Sequence, residues 1–391
     1  MHKFILLNLL RYFFVVLTIN SNKMKSFLTG LLVLCFIEYM ANGQESSLSL
    51  DSTSAWQDTI VVALDREMEL FNSDMPLGME LVFNLEDFID SKDEPEYFDA
   101  RLTLGCEQDT FEWDIRIKAR GEFRRNQCAF PPIMINVKDV DEGPVEITSQ
   151  KTMKLVTHCR SGRQYQDYMF REYLIYKLYN LITPYSFNVR LVNINYIDEN
   201  EPDDIISSYG FLIENLDKLA ERNNATVLDE ETLQQQDMLP VIMAQLAVFQ
   251  YMVGNFDWQV ATHNVKVIKN LETNDDRAIP VPYDFDFSGF VDASYAIPRI
   301  NLGITDVKQR RYLGDCTLND LLPSVLDEFA KYEELFVNTI NSFELINERN
   351  KKNLLSYINE FYMLLHDDKD NLVLKLQQEC ILILQLDNPI D

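Results

Sequence analysis

Gly254-Asn255-Phe256-Asp257-Trp258-Gln259-Val260-Ala261-Thr262-His263-Asn264 and, beyond one strand-like run and a polar turn, Tyr283-Asp284-Phe285-Asp286-Phe287-Ser288-Gly289 read as two halves of one site. The apolar, helix-like run 238–253 breaks at Gly254 and sets down an isolated acid, Asp257. His263-Asn264 then leads into the strand-like Val265-Lys266-Val267-Ile268, and Ile279-Pro280-Val281-Pro282-Tyr283 delivers Asp284 and Asp286. An acid, an amide and paired acids at the ends of two adjacent strands are the inventory of a nucleoside-triphosphate site. There the first acid orients a hydroxyl nucleophile, while the amide and a later acid hold Mg²⁺ through oxygen. Asp284 and Asp286 stand at i and i+2, which on a strand puts both on one face. Buried together they repel unless a cation lies between them. The plainer alternative is that Asp and Asn cap ordinary turns, and it is the joint arrangement that favours a site.

Outward from this stretch, composition bounds the answer. The chain has 391 residues with 35 Lys+Arg against 62 Asp+Glu, a net charge of −27, and 47% hydrophobic residues. This describes an acidic globular protein of one large or two moderate domains, with no nucleic-acid partner expected. Residues 1–43 read as a leader. Met24-Lys25, the apolar run 27–37 and Ala41-Asn42-Gly43 before Gln44 have the form of a signal peptide with a small-x-small cleavage site, so export is expected. Cys35 after Leu32-Val33-Leu34 offers lipidation as a further option, and nothing beyond Gln44 is apolar and long enough to span a bilayer. Of the six cysteines, Cys106, Cys128, Cys159, Cys316 and Cys380 lie beyond the leader without a Cys-x-x-Cys, which argues against zinc. Cys106 and Cys128 could pair in an oxidising compartment, or the cysteines serve as small buried apolar residues.

Taken in order, residues 44–110 form a linker and a β-rich extension, with strands expected over 78–83 and 98–104. Phe111, Trp113, Ile115 and Ile117 alternate with Glu112, Asp114, Arg116 and Lys118, the pattern of a half-buried strand. It ends at a basic turn, Arg120-Gly121-Glu122-Phe123-Arg124-Arg125, a hairpin tip that could lie over phosphates, and 130–137 resumes as a strand. Lys154 sits in the strand 153–157, Glu172 in the helix-like 165–182, and the strands 187–197 and 208–213 end at Glu214. The C-terminal stripes Leu321, Leu322, Val325, Leu326, Phe329 and Leu354, Leu355, Ile358, Phe361 repeat at helical spacing. This order predicts an α+β, atypical protein-kinase-like bilobal fold. Residues 111–217 would form its β-rich N-terminal lobe and 218–391 its helical C-terminal lobe carrying the metal and catalytic loop. In such a fold a strand Lys binds phosphates and a helix Glu orients it. The segment 295–312, with Arg299, Lys308, Arg310 and Arg311, falls where a kinase faces its substrate, but a solvated loop is the reading its composition favours.

The sequence also resembles a known family, the spore-coat CotH-type atypical secreted protein kinases. The matching stretches are Arg120-Gly121-Glu122-Phe123-Arg124; Lys154-Leu155 before Met169-Phe170-Arg171-Glu172; Arg190-Leu191-Val192-Asn193 with Tyr209-Gly210-Phe211-Leu212-Ile213-Glu214; Asn255 through Asn264; and Tyr283 through Phe287. The resemblance implies transfer of the ATP γ-phosphate to Ser or Thr of exported or cell-envelope proteins, with Mg²⁺ or Mn²⁺. It implies Asp257 as catalytic acid, Asn264 and Asp284 as metal ligands with Asp286 in support, and Lys154, Glu172, Glu214 and Arg120 as nucleotide-binding residues. The alternative is a non-catalytic pseudokinase that holds a partner at the cell surface. A metal-dependent hydrolase on Asp257, Asp284 and Asp286 is third.

Overall fold

The structure is a computed structural model and describes residues 70–106, 109–138, 140, 144–272 and 275–387. The leader, the lipidation option at Cys35 and the strand-like run 59–63 lie outside the described residues. The first half runs β1 (Leu77–Phe83), α1 (Leu85–Asp90), β2 (Phe98–Cys106), β3 (Asp109–Ala119), α2 (Glu122–Gln127), β4 (Ile133–Asn136), α3 (Val145–Thr148), β5 (Thr152–Val156), α4 (Arg163–Asn180), β6 (Val189–Asp198) and β7 (Ile205–Ile213). Then follow α5 (Leu216–Arg222), β8 (Ala225–Leu228), α6 (Pro240–Val253), β9 (Gln259–Val260), β10 (Asn264–Asn270), β11 (Ile279–Pro282), α7 (Leu322–Ser342), α8 (Glu348–Asp367) and α9 (Lys369–Asp387).

The expected bilobal kinase-like fold is not what these elements build. β1 to β7 close into one mixed barrel of order β1-β2-β3-β4-β5-β7-β6, with helices after it. The closing seam is parallel, with Leu77 opposite Val192 and Phe83 opposite Asp198, and the other barrel pairs are antiparallel. Residues on both sides of position 110 therefore share one barrel, because β2 and β3 form a hairpin in which Ala100 faces Ile115. Closure satisfies the strand edges that an open sheet leaves unpaired. The alternation read over 111–117 holds: Trp113, Ile115 and Ile117 are buried and Glu112 and Asp114 are not.

Alternation along β6 and β7 divides the apolar residues between two cores. Val192, Ile194, Tyr196 and Leu212 join Leu81, Leu102, Ile117, Ile135 and Leu155 in the barrel core. Val189, Leu191, Phe211 and Ile213 join the aromatic and aliphatic side chains of α4 and α6. Buried on both faces, these strands carry apolar residues in near-continuous runs. Helix α4 packs on β6, β7 and α7 and is apolar around most of its circumference, as a helix between two layers must be. Among the described residues, no helix is long and apolar enough to cross a membrane.

Among the described residues two disulfides are present, Cys128–Cys159 and Cys316–Cys380. The pairing considered between Cys106 and Cys128 is thus corrected. Cys128 precedes β4 and Cys159 follows β5, and antiparallel pairing of Ile133 with Leu155 brings those two ends together. The Phe130 N–H donates to the Cys159 carbonyl at 2.9 Å beside the bridge.

Helix α6 stops at Gly254, whose φ of 66° is left-handed and closes the helix end. A Cβ there would collide with the Tyr357 hydroxyl. Gly254→Ala therefore combines backbone strain with a clash, and chemical denaturation should show a loss of about 1–3 kcal/mol. An unchanged denaturation midpoint would refute the role given to this turn.

Candidate functional site

The two halves of the quoted stretch meet through backbone bonds. The Tyr283 N–H donates to the Asn264 carbonyl at 2.9 Å, where β11 runs antiparallel to β10. The Gly289 N–H donates to the Gly254 carbonyl, and the Phe290 N–H to the Val253 carbonyl, both at 3.0 Å. Asp257 thereby lies beside the end of β10, with its N–H on Asn255 Oδ1 at 3.0 Å. Its carboxylate is held on both sides: Asn264 Nδ2 donates to Oδ2 at 3.2 Å and to the Asp257 carbonyl at 2.8 Å, and His263 Nε2 lies 3.1 Å from Oδ1. With Nδ2 committed, Oδ1 is the atom by which Asn264 would meet a cation.

A cavity of about 540 Å³ opens here, lined by Arg120, Phe123, Arg124, Asp257, His263, Asn264, Asp284, Asp286 and Phe287 among others. Five of the eight residues singled out as site candidates, Arg120, Asp257, Asn264, Asp284 and Asp286, line it. Asn264 and Asp284 both have left-handed backbones, φ 54° and 60°. Asn and Asp tolerate that conformation better than other non-glycine residues, at a cost of order 1–3 kcal/mol each. Asp284 is fixed from behind, its N–H donating to the Tyr176 hydroxyl of α4 at 2.9 Å. Phe285 anchors the turn, fully buried and edge-on to Tyr176 at 4.9 Å. Burial of such a ring stabilises by roughly 1.5–3 kcal/mol.

The cation expected between Asp284 and Asp286 is present as part of the chain itself. Arg124 Nε donates to Asp286 Oδ2 at 2.7 Å, its Nη2 donates to Glu172 Oε2 at 2.5 Å, and Nη2 stands 3.6 Å from Asp284 Oδ1. The basic turn 120–125 is therefore not a hairpin tip. It opens the short helix α2 and carries Arg124 inward, leaving that side chain 10% exposed. Burial, reinforced by neighbouring carboxylates, raises the pKa of Glu172 and Asp286 against the opposing pull of Arg124. Glu172 Oε1 is buried without a hydrogen-bond partner among the described residues.

This changes two sequence expectations. Glu172 is paired with Arg124 and not with Lys154. Asp286 is committed to Arg124, which leaves Asp284, 40% exposed, as the carboxylate open to a cation. Lys154 instead lies with its ammonium 4.6 Å above the Tyr283 ring, and burial, with Arg120 close by, brings its pKa down to about 7. Glu214 is held elsewhere, accepting from Arg222 Nε at 2.9 Å and from the Asn188 N–H at 3.1 Å. Neither Lys154, Glu172 nor Glu214 is among the residues lining the cavity. The cluster Lys308, Arg310 and Arg311 is also partly spoken for: Lys308 pairs with Asp292 at 2.8 Å, and the Arg310 guanidinium sits 3.9 Å over Tyr357 and pairs with Glu360 at 2.9 Å. Sequence reasoning missed Arg124 as a site organiser. The signal was a helix acid, Glu172, and a buried Asp-x-Asp that together needed more positive charge than Lys154 could give.

Among the described residues, no group of three or more His, Cys, Asp or Glu side chains is placed to hold a metal on its own. Mg²⁺ in nucleotide sites takes one or two protein oxygens and completes its shell with phosphate and water. Asp284 and Asn264 Oδ1 on one cavity wall fit that sparser requirement. No protein-family model matches the chain, and comparison with curated proteins finds no match.

Two outcomes follow from these charges. Arg124→Ala strands two buried carboxylates and should destabilise by about 3–5 kcal/mol, with Glu172→Gln restoring part of the loss; equal melting of wild type and Arg124→Ala would contradict the network. Lys154 titrates near 7 when folded and near 10.5 when unfolded, so between those values the unfolded chain binds the extra proton. Stability of the wild type should therefore rise relative to Lys154→Met as pH increases from about 7 to 10, and parallel pH–stability curves would contradict it.

Proposed function

We propose that the chain is a metal-dependent phosphotransferase of the CotH type, moving the γ-phosphoryl group of ATP to a Ser or Thr hydroxyl of an exported protein. The observation that carries this reading is the shared cavity, in which Asp257, Asn264, Asp284 and Arg120 converge from three separate chain segments. The order of the five matching stretches supports it, and the two disulfides agree with an oxidising, exported setting.

In this reading Asp257, steadied by Asn264 and His263, orients the acceptor hydroxyl and takes its proton as the hydroxyl oxygen bonds to the γ-phosphorus and the bond to ADP breaks. Arg120, a residue of the cavity wall, is the cation that meets the phosphates. Asp284 and Asn264 Oδ1 are the groups that would hold the divalent cation. When bound, that cation neutralises charge developing on the phosphate oxygens.

A non-catalytic binding protein is the second reading. The pairing of Glu172 with Arg124 favours it, because Lys154 is left without the acid partner a phosphate-binding lysine uses. Thermal melting with ATP and Mg²⁺ or Mn²⁺ separates the two. A ligand at about a hundred times its dissociation constant adds about 2.7 kcal/mol of stability. The phosphotransferase should melt higher only with nucleotide and metal together. Asp284→Ala should lose that shift, while Asp257→Ala should keep it and lose transfer by about 10²–10⁴-fold. A folded protein that shows no shift with either metal is the binding protein.

A further inference from the structure

A second cavity, of about 620 Å³, shares Asp257, His263 and Phe287 with the first and continues over Trp258, Ile297 and Ile300. The two cavities thus meet at the residue assigned to the acceptor hydroxyl. Their chemistry differs. The first presents Arg120, Asp284 and Asn264, whereas the second adds Trp258, Ile297, Pro298 and Ile300 beside the polar Gln259, Arg299 and Asn301. Ile297 is 62% exposed and Ile300 79% exposed. Apolar side chains left so open, next to each other and rimming a cleft, mark a contact surface when they adjoin a site.

Two further observations point to a ligand. Trp258 is buried, yet its indole Nε1–H has no hydrogen-bond partner among the described residues. A buried tryptophan normally places that donor on an acceptor. The wall is also fixed in position: Arg299 Nη1 donates to the Phe256 carbonyl at 3.1 Å, tying the Ile297–Ile300 segment to the loop that carries Asp257.

We infer that this cleft is the acceptor subsite and takes an extended protein segment with an aliphatic side chain within a few residues of the phosphorylated Ser or Thr. The inference rests on the phosphotransferase reading above and adds the substrate class. The aliphatic side chain lies against Ile297 and Ile300, a backbone carbonyl of the same segment is available to Trp258, and the hydroxyl reaches Asp257 at the junction.

The test uses the full chain, ATP with Mn²⁺, and a library of serine peptides randomised around the serine, with metal-dependent nucleotide binding followed separately by thermal shift. The wild type should prefer Leu, Ile or Val at one flanking position over Asp or Lys by about tenfold or more, the discrimination an apolar contact of this size supplies. Ile297→Asp with Ile300→Asp should flatten or invert that preference toward Lys while the nucleotide shift remains. Nucleotide binding with no flanking preference, with no transfer to any peptide, or with a preference the double variant leaves unchanged overturns the acceptor inference alone. Absence of nucleotide binding in the wild type overturns the phosphotransferase reading and this inference with it.

Discussion

One guanidinium holds the site together. Arg124, delivered by a helix of six residues, spans Glu172 of α4 and Asp286 beyond β11, with Asp284 at the edge of its reach. Three parts of the chain far apart in sequence are thereby fixed to one another in a buried setting, where a lost partner costs far more than it does at the surface. The Cys128–Cys159 bridge lies directly after α2 and secures that short helix to the end of β5. The hydroxyl of Tyr176, one helical turn along from Glu172, receives the N–H of Asp284, so a single face of α4 sets both aspartates. The geometry of the cavity therefore depends on α4 staying in register with the barrel, and the aromatic packing of Tyr173 and Tyr176 against Phe211 of β7 supplies that register.

The consequence for chemistry is a division of labour between the paired acids. Asp286 serves the arginine, and Asp284, on a left-handed backbone and partly open, faces the cavity. Asp257 and Asn264 are similarly divided: the amide nitrogen steadies the acid, and in the proposed reading the amide oxygen is the atom that meets the cation. Asp284, which Arg124 reaches only at 3.6 Å, and Arg120 both line the cavity, and in the proposed reading these are the groups that meet a metal–phosphate pair.

Much of the local structure was legible in the sequence. The alternation at 111–117, the helical pattern of 165–182 and the glycine stop at Gly254 all correspond to observed elements, because a period of two or of 3.6 residues and a left-handed cap are local signals. The two halves of the site were legible for the same reason, since each sits at a strand end marked by Asn and Asp. The barrel was not. Its closure depends on Leu77–Phe83 lying parallel to Val192–Asp198, and alternation tells which face of a strand is buried without telling which strand lies beside it. Arg124 was hidden differently: in Arg120-Gly121-Glu122-Phe123-Arg124-Arg125 it looks like one surface cation among three. Only the fold shows that it alone of the three is buried against carboxylates.

The central claim is that Asp284 and Asn264 share a divalent cation with a nucleotide phosphate in this cavity. Electron paramagnetic resonance of bound Mn²⁺ tests it most directly. The account predicts weak Mn²⁺ binding by the protein alone, strong binding when ATP is added beyond what ATP itself retains, and loss of that increment in Asp284→Asn. Mn²⁺ binding that neither ATP nor Asp284→Asn alters would contradict it.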